Sequence, residues 1–235
     1  MAAQLPVQVL HSIGVLAVFI IFALSILIIL RLKISIPSFI FRKLLHIVAF
    51  SCVSIMILSA KSWQAAALCA IIIAAVAYPI LAVFDKTPWF EKFFVQKSPG
   101  EIKRSCLLLF AMFAVLISIS WGIFDRPHLA AASILMWGTG DGAAALVGIP
   151  FGRHKIHSRF TDGKKSWEGS IAMFAVSFLS GMIIFLLTQM PFGKALYTAG
   201  IAAFFGAATE LFSPSEYDTV TVPLVIMTVL LILGR

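Results

Sequence analysis

The stretch WGTGDGAAALVGIPFGRHKI, residues 137–156, places an aspartate among glycines in a chain that is 61% hydrophobic and only 12% charged. A soluble domain would carry about twice that charge fraction. Together with a mean hydropathy of +1.04, this composition indicates an integral membrane protein. A carboxylate at membrane depth costs roughly 2.5–3.5 kcal/mol on insertion scales, so one that is retained faces a cation or a polar cavity. We therefore expect Asp141 to be functional.

Apolar stretches that can cross a bilayer as helices, which takes about 20 residues, recur along the whole chain. The predicted spans are 9–30, 44–60, 63–84, 105–124, 129–149, 167–190, 195–212 and 220–233. The last is short and contains Pro223, so seven spans is the alternative. The first run lacks the flanks of a signal peptide, and we expect it to be retained. The sequence thus predicts an all-α, polytopic transmembrane helical bundle that forms one domain over residues 1–235.

Charge is distributed unevenly between the two sides of this bundle. Fourteen of the eighteen Lys and Arg residues fall in the first, third and fifth loops, which the positive-inside rule assigns to the cytoplasm. Every acidic residue except Asp125 falls on the same side. Both signs together predict an active site on the cytoplasmic face, and both termini on the opposite side if the eighth span is real. Because topology explains the basic excess, no nucleic-acid partner is expected.

The glycines around Asp141 allow two interpretations. Gly138, Gly140 and Gly142 expose bare backbone, which lets a ligand approach closely. Gly138 and Gly142 also form a small-xxx-small pair, so close packing between helices is the alternative. We assign Gly140 and Gly142 to the cofactor site as a hypothesis.

A basic loop, FGRHKIHSRFTDGKKSWEGS at residues 151–170, follows this span and leads into the next one. Ser166 is a plausible N-cap of that helix. A helix N-terminus beside lysines is an anion site, and phosphate is its natural ligand. His154 and His157 are interpreted as facing phosphate or solvent. The residues assigned to phosphate or nucleotide binding are Arg153, Lys155, Lys164, Lys165, Ser166, Glu168 and Gly169.

Further charged residues flank other spans on the cytoplasmic side. Glu210 ends the seventh span and Asp218 opens the eighth, and with Asp141 they could bind magnesium across helices, helped by substrate phosphates. Arg42 and Lys43 begin the second span, where topology alone would explain them. His46 lies one turn deeper and is expected to line the cavity, with a purely structural histidine as the alternative. No Walker A or GxGxxG motif occurs.

Four segments together resemble a known family. They are RKLLH at 42–46, GDGAAALVGIPFGRHKI at 140–156, GKKSWEGSIAMF at 163–174, and Glu210 followed by YDTVTVPL at 217–224. They are similar to the polytopic lipid kinases, which comprise phytol and farnesol kinases, dolichol kinases and CTP-dependent diacylglycerol kinases and are related to phosphatidate cytidylyltransferases. The catalytic segments are then about 42–46, 138–170 and 206–224. Two departures concern possible metal or lipid contacts: alanines follow Gly142 where relatives carry an acid, and Thr219 follows Asp218 where relatives carry Asn.

This resemblance implies Mg²⁺-dependent transfer of the terminal phosphate of CTP to the hydroxyl of a membrane lipid, an isoprenoid alcohol or diacylglycerol. Asp141 and Glu210 would bind the metal with help from Asp218. Lys165, as a catalytic residue, and Lys155 with Ser166 would hold the triphosphate, while His46 or one carboxylate would orient the lipid hydroxyl. Arg42 and Lys43 are assigned to the nucleotide site.

Two alternatives follow from the same residues. One is a cytidylyltransferase that makes CDP-diacylglycerol from CTP and phosphatidate, and the other is an ion-coupled transporter in which Asp141 and Glu210 serve a coupling ion. The clustering of polar residues on one face, rather than at the midplane, favours the kinase. The short chain suits a prokaryotic plasma membrane.

Overall fold

The structure, a computed structural model, describes residues 4–34, 36–84, 100–156, 165–214 and 217–234. Eight helices and no strand are found in these ranges, which confirms the all-α prediction. A π-helix, Ser118–Ile123, continues the fourth helix. The helices are α1 (Leu5–Lys33), α2 (Ser38–Ser59), α3 (Trp63–Phe84), α4 (Glu101–Ile117), α5 (Pro127–Phe151), α6 (Trp167–Leu187), α7 (Phe192–Phe212) and α8 (Asp218–Leu233).

The helices agree with the predicted spans, and the chain is a multi-pass integral membrane protein. Helices α1 to α7, with α4 extended by its π-helical turn, are long and apolar enough to cross a bilayer. Helix α8 has 16 residues, as the short eighth stretch led us to expect. The largest difference lies at the start of α2, which begins at Ser38, directly after Pro37. Because of this earlier start, Arg42 and Lys43 also lie within regular helix, together with His46.

Helix α5 is the centre of the bundle. Half of its apolar stretch is buried inside the protein, compared with 11% for α1, and it packs against α6, α2 and α8. The helices approach closely because α5 carries small residues where its neighbours cross. A Cβ atom on Gly138 would lie 1.9 Å from Cγ of Phe50 in α2, and one on Gly140 would lie 2.1 Å from Oγ of Ser177 in α6. Small residues at such crossings are typical of membrane helix packing.

Serine hydroxyls in the interior fasten α5 to its neighbours. Ser54 of α2 donates to the carbonyl of Ala131 at 3.1 Å, and Ser177 of α6 donates to the carbonyl of Met136 at 2.8 Å. Ser133 of α5 donates to the carbonyl of Pro223 in α8 at 3.2 Å. Hydrogen bonds of this kind hold helices together in lipid, where burial of apolar surface gives no advantage. Helix α5 is thereby held on three sides.

Candidate active site

Asp141 lies in α5 about 15 Å from the C-terminal end of that helix, given 1.5 Å per residue. The two glycines beside it pack on opposite neighbours: Gly140 meets Ser177 of α6, while a Cβ on Gly142 would lie 2.5 Å from Ile47 in α2. The structure therefore gives these glycines a packing role, which was the alternative interpretation. Their assignment to a cofactor stays a prediction. The packing fixes where the aspartate emerges between α2 and α6.

Two side chains of α2 face the Asp141 carboxylate. Nζ of Lys43 donates a hydrogen bond to Oδ2 of Asp141 at 2.9 Å. Nε2 of His46 lies 3.4 Å from the same oxygen. Lys43 and His46 are three residues apart and share one helix face. These three residues, which we call the Asp141 cluster, are each partly exposed, with 20–29% of the side chain accessible.

Aromatic packing holds the ring of His46 in place. Its ring lies 4.4 Å from the ring of Phe50, which in turn meets Phe113 and Trp137 edge to face at 5.0 Å and 4.7 Å. Nε2 of His46 is buried and makes no hydrogen bond within the described part of the chain. Buried polar atoms without a partner are uncommon and ask for an explanation. A ligand bound beside Asp141 would supply the missing hydrogen-bond partner of Nε2.

A second group of charges lies where α7 ends and α8 begins. Nζ of Lys165 is 3.1 Å from Oε1 of Glu210 and 3.8 Å from Oδ2 of Asp218. The same ammonium donates to the backbone carbonyl of Ser213 at 2.9 Å and to that of Glu210. Only 9% of the Lys165 side chain and 12% of the Glu210 side chain are accessible. We call Lys165, Glu210 and Asp218 the Lys165 cluster.

The two clusters form one charged end of the bundle. The charge of Asp141 acts on both Glu210 and Asp218, and the charge of Lys165 acts on Asp141. The sequence predicted a metal site shared by the three carboxylates, and in the structure the charges of Glu210 and Asp218 interact with that of Asp141. Each cluster also contains a lysine that partly neutralises its acids. The arrangement therefore combines carboxylates for a cation with ammonium groups for an anion.

The carboxylates have the chemistry that magnesium requires. Mg²⁺ in nucleotide sites is held by one or two carboxylates, with substrate phosphates and water completing its shell. Within the described ranges, no three His, Cys, Asp or Glu side chains are close enough to hold a metal by themselves. The residues present thus fit a metal whose shell is completed by water or by phosphate oxygens. Assignment of Asp141, Glu210 and Asp218 to magnesium stays a prediction.

The segments on both sides of the basic loop pair with each other. Residues 154–156 lie antiparallel to residues 165–167, with hydrogen bonds from Ile156 N to Lys165 O at 3.0 Å and from Trp167 N to His154 O at 3.2 Å. Ser166 caps α6 as predicted, since its hydroxyl accepts the N–H of Gly169 at 3.2 Å. This pairing positions Lys165 beside the end of α7. Lys164 and His157 lie outside the described residues.

Other residues of the predicted phosphate site have structural partners. Glu168 accepts the backbone N–H of His154 at 3.2 Å and lies 2.7 Å from its Nδ1. A Cβ on Gly169 would lie 2.9 Å from the carbonyl of Ala144, so Gly169 allows α6 to approach α5. Nζ of Lys155 donates to the carbonyl of Gly148 at 3.3 Å. Contact of these residues with a nucleotide stays a prediction, as it does for Arg42 and Arg153.

The carbonyl oxygens around Lys165 and the anchoring role of Glu168 were not found from the sequence. Any residue type can supply a backbone carbonyl, so the contact of the Ser213 carbonyl with Lys165 could not be predicted from the sequence. The position of Glu168 did give a signal, because an acid two residues after an N-cap can accept a hydrogen bond from a nearby backbone N–H as readily as it can bind a ligand. Small residues at 148, 152 and 169 would have indicated close packing of α5 on α6.

Known proteins with similar sequences are phytol kinases. The chain is 41% identical to a phytol kinase of Synechocystis sp. over 99 residues, which are 42% of this chain and 41% of that protein. It is 30% identical to a probable chloroplastic phytol kinase of Zea mays over 145 residues, which are 57% of this chain and 45% of that protein. The matches span less than half the length of these relatives. No family model and no solved structure matches the chain.

Proposed function

We propose that this homologue of the phytol kinases is an Mg²⁺-dependent membrane lipid kinase, which transfers the terminal phosphate of CTP to a lipid alcohol. The observation that carries the proposal is the Asp141 cluster: a carboxylate between two helices of a membrane bundle, faced by Lys43 and His46, beside a second set of acids. The acceptor is an isoprenoid alcohol such as phytol, farnesol or a polyprenol, or diacylglycerol. The homologues favour phytol among these, because both carry phytol kinase in their names.

Phosphoryl transfer requires positioning and charge stabilisation more than covalent chemistry by the protein. The lipid hydroxyl oxygen attacks the terminal phosphorus, a new P–O bond forms, and the bond from that phosphorus to the bridging oxygen breaks. The products are lipid monophosphate and CDP, and the hydroxyl proton leaves to a base. We assign His46, beside Asp141, to orienting the hydroxyl and receiving its proton. A partly exposed carboxylate between two helices suits a hydroxyl that comes sideways from the bilayer.

The lysines are assigned to the phosphate that is transferred. Lys43 and Lys165 are cations within the charged end, and ammonium groups neutralise the charge on the transferring phosphate. Mg²⁺, when bound, would polarise the phosphoryl oxygens and stabilise the leaving diphosphate. Asp141 and Glu210, with Asp218, are the side chains that would hold it. The excess of basic residues in alternate loops favours a cytoplasmic location for this end, where CTP is found.

Product analysis tests the proposal. The purified protein in lipid vesicles receives Mg²⁺ with CTP or ATP, against phytol, farnesol, a polyprenol, diacylglycerol and phosphatidate, and mass spectrometry identifies the products. Lipid monophosphate with CDP is the expected result and names the acceptor. CDP-diacylglycerol with pyrophosphate would contradict the proposal and indicate a cytidylyltransferase. Absence of turnover on all five lipids with both nucleotides would also contradict it.

A further inference from the structure

One oxygen of the Asp141 carboxylate is left open. Both contacts of this side chain, with Nζ of Lys43 at 2.9 Å and Nε2 of His46 at 3.4 Å, use Oδ2. Within the described part of the chain, Oδ1 has no hydrogen-bond partner, and 27% of the side chain is accessible. A carboxylate has about four lone-pair sites and can accept at both oxygens. Asp141 therefore retains capacity for a ligand while it is paired with lysine.

Lys43 is weakly held in the Asp141 cluster. Among the described residues, its ammonium donates one hydrogen bond, to Oδ2 of Asp141, and 20% of the side chain is accessible. An ammonium has three N–H donors, so Lys43 can satisfy the others with water or with an arriving anion. Lys165 differs, because two backbone carbonyls and two carboxylates surround its ammonium and only 9% of its side chain is accessible. A cation that approaches the charged end would therefore displace the ammonium of Lys43 more easily than that of Lys165.

We infer that Lys43 is an exchangeable counter-ion of Asp141: a divalent cation displaces its ammonium from the carboxylate, whereas Lys165 keeps its place on Glu210 and Asp218. The ammonium and the metal neutralise the same carboxylate charge, so each is bound at the expense of the other. The displaced ammonium then becomes available to the anionic phosphates that accompany the metal. The inference rests on the proposed function and gives the carboxylate of Asp141, rather than that of Glu210, the first contact with the cation.

Metal binding without nucleotide or lipid tests this exchange. Binding of Mn²⁺, a spectroscopic substitute for Mg²⁺, is measured by electron paramagnetic resonance for the wild type, Lys43→Met, Lys43→Arg and Lys61→Met. Lys43→Met removes the competitor and is expected to bind Mn²⁺ about tenfold more tightly, and Lys43→Arg to resemble the wild type. Lys61 lies exposed between α2 and α3, so Lys61→Met is the matched control and leaves binding unchanged. Adding Asp141→Asn to Lys43→Met should remove the gain.

A second measurement uses the wild-type protein and does not depend on how the variants fold. An amine-reactive label is applied with and without Mn²⁺, and the modified lysines are counted by mass spectrometry. The exchange predicts that Mn²⁺ increases labelling of Lys43 and leaves that of Lys165 unchanged. Unchanged labelling of Lys43 at saturating Mn²⁺, or no tighter binding by a folded Lys43→Met, would overturn the inference.

These outcomes are separate from those of the proposed function. If the wild type makes lipid monophosphate but Lys43 shows neither effect, the kinase proposal stands and the exchange fails. If Lys43 shows both effects but no lipid is phosphorylated, the exchange stands as a property of a metal site with another function.

Discussion

The two clusters at the charged end use the same residue types in opposite ways. In the Lys165 cluster a nearly buried ammonium is surrounded by carbonyl and carboxylate oxygens from the end of α7 and the start of α8. In the Asp141 cluster the carboxylate is the centre, and one lysine and one histidine face it from a single helix. The first is closed and joins three segments of the chain. The second is open, and one of its carboxylate oxygens has no hydrogen-bond partner among the residues that the structure describes.

This difference predicts that the Lys165 cluster mainly stabilises the fold and that the Asp141 cluster mainly serves the reaction. A buried ion pair is costly to break, because removal of one partner leaves the other charged and desolvated. A more exposed pair contributes less to stability and is more easily rearranged. We therefore expect changes in the Lys165 cluster to act on folding first, and changes in the Asp141 cluster to act on turnover.

Asp141→Asn is the most severe test of the open cluster. The amide keeps the shape of the side chain but removes the charge that faces Lys43 and His46. Turnover should fall by at least about 10³-fold, since a bound metal supplies several kcal/mol of transition-state stabilisation. Initial rates of lipid monophosphate formation measure the loss, and the midpoint of thermal unfolding in detergent should stay close to that of the wild type. An active Asn variant would exclude the metal role of Asp141.

Lys165→Met is the corresponding test of the closed cluster. It leaves Glu210 and Asp218 together without their cation, and breaking a buried pair costs about 3–5 kcal/mol. Thermal unfolding of the detergent-solubilised protein should shift to clearly lower temperature. Lys165→Arg keeps the charge and serves as the control. If Lys165→Met unfolds like the wild type and only raises the CTP concentration needed for half-maximal rate, Lys165 belongs to the phosphate site alone, and the contrast between the clusters is wrong.

Gly138→Ala disturbs the open cluster from a distance. The added Cβ would overlap Phe50, which supports His46, so α2 must move away from α5. Overpacking of this kind costs about 1–3 kcal/mol. Turnover should fall together with the unfolding midpoint. Gly14→Ala is the matched control, because a Cβ at Gly14 of α1 meets nothing within 4 Å. Equal behaviour of the two variants would show that the α2–α5 crossing does not position the site.

Much of the fold could be predicted from composition and periodicity. Apolar runs of about 20 residues can only be helices in lipid, because every backbone polar group must be satisfied within its own segment. The ends of helices were harder to predict: the start of α2 at Ser38 depends on Pro37, whose fixed φ favours a position just before a helix. The central place of α5 could have been inferred from its glycines and alanines, which make a helix suitable for contact on every side.

The residues of the two clusters could be singled out from the sequence, but their pairings could not. The cost of a charge at membrane depth singled out Asp141, and Glu210 and Asp218 were grouped with it because carboxylates bind magnesium. Lys165 was singled out by its place beside a helix start, and His46 by its place at the entry of a span. Which lysine would neutralise which acid depends on how helices distant in sequence cross, and residue types carry no information on this. The division into an open and a closed cluster therefore appeared only in three dimensions. The same holds for Glu168, whose carboxylate serves the backbone of His154.

Glu168→Ala should have the smallest effect and sharpens the contrast between the clusters. It removes the acceptor for the backbone N–H and the ring of His154, which loosens residues 154–156 beside Lys165. Because 78% of the His154 side chain is accessible, the unfolding midpoint should hardly change. The CTP concentration for half-maximal rate should rise by less than about tenfold, with the maximal rate retained. His154→Ala keeps the backbone contact and should do less. A collapse of the maximal rate in Glu168→Ala would instead place Glu168 at the reacting phosphate.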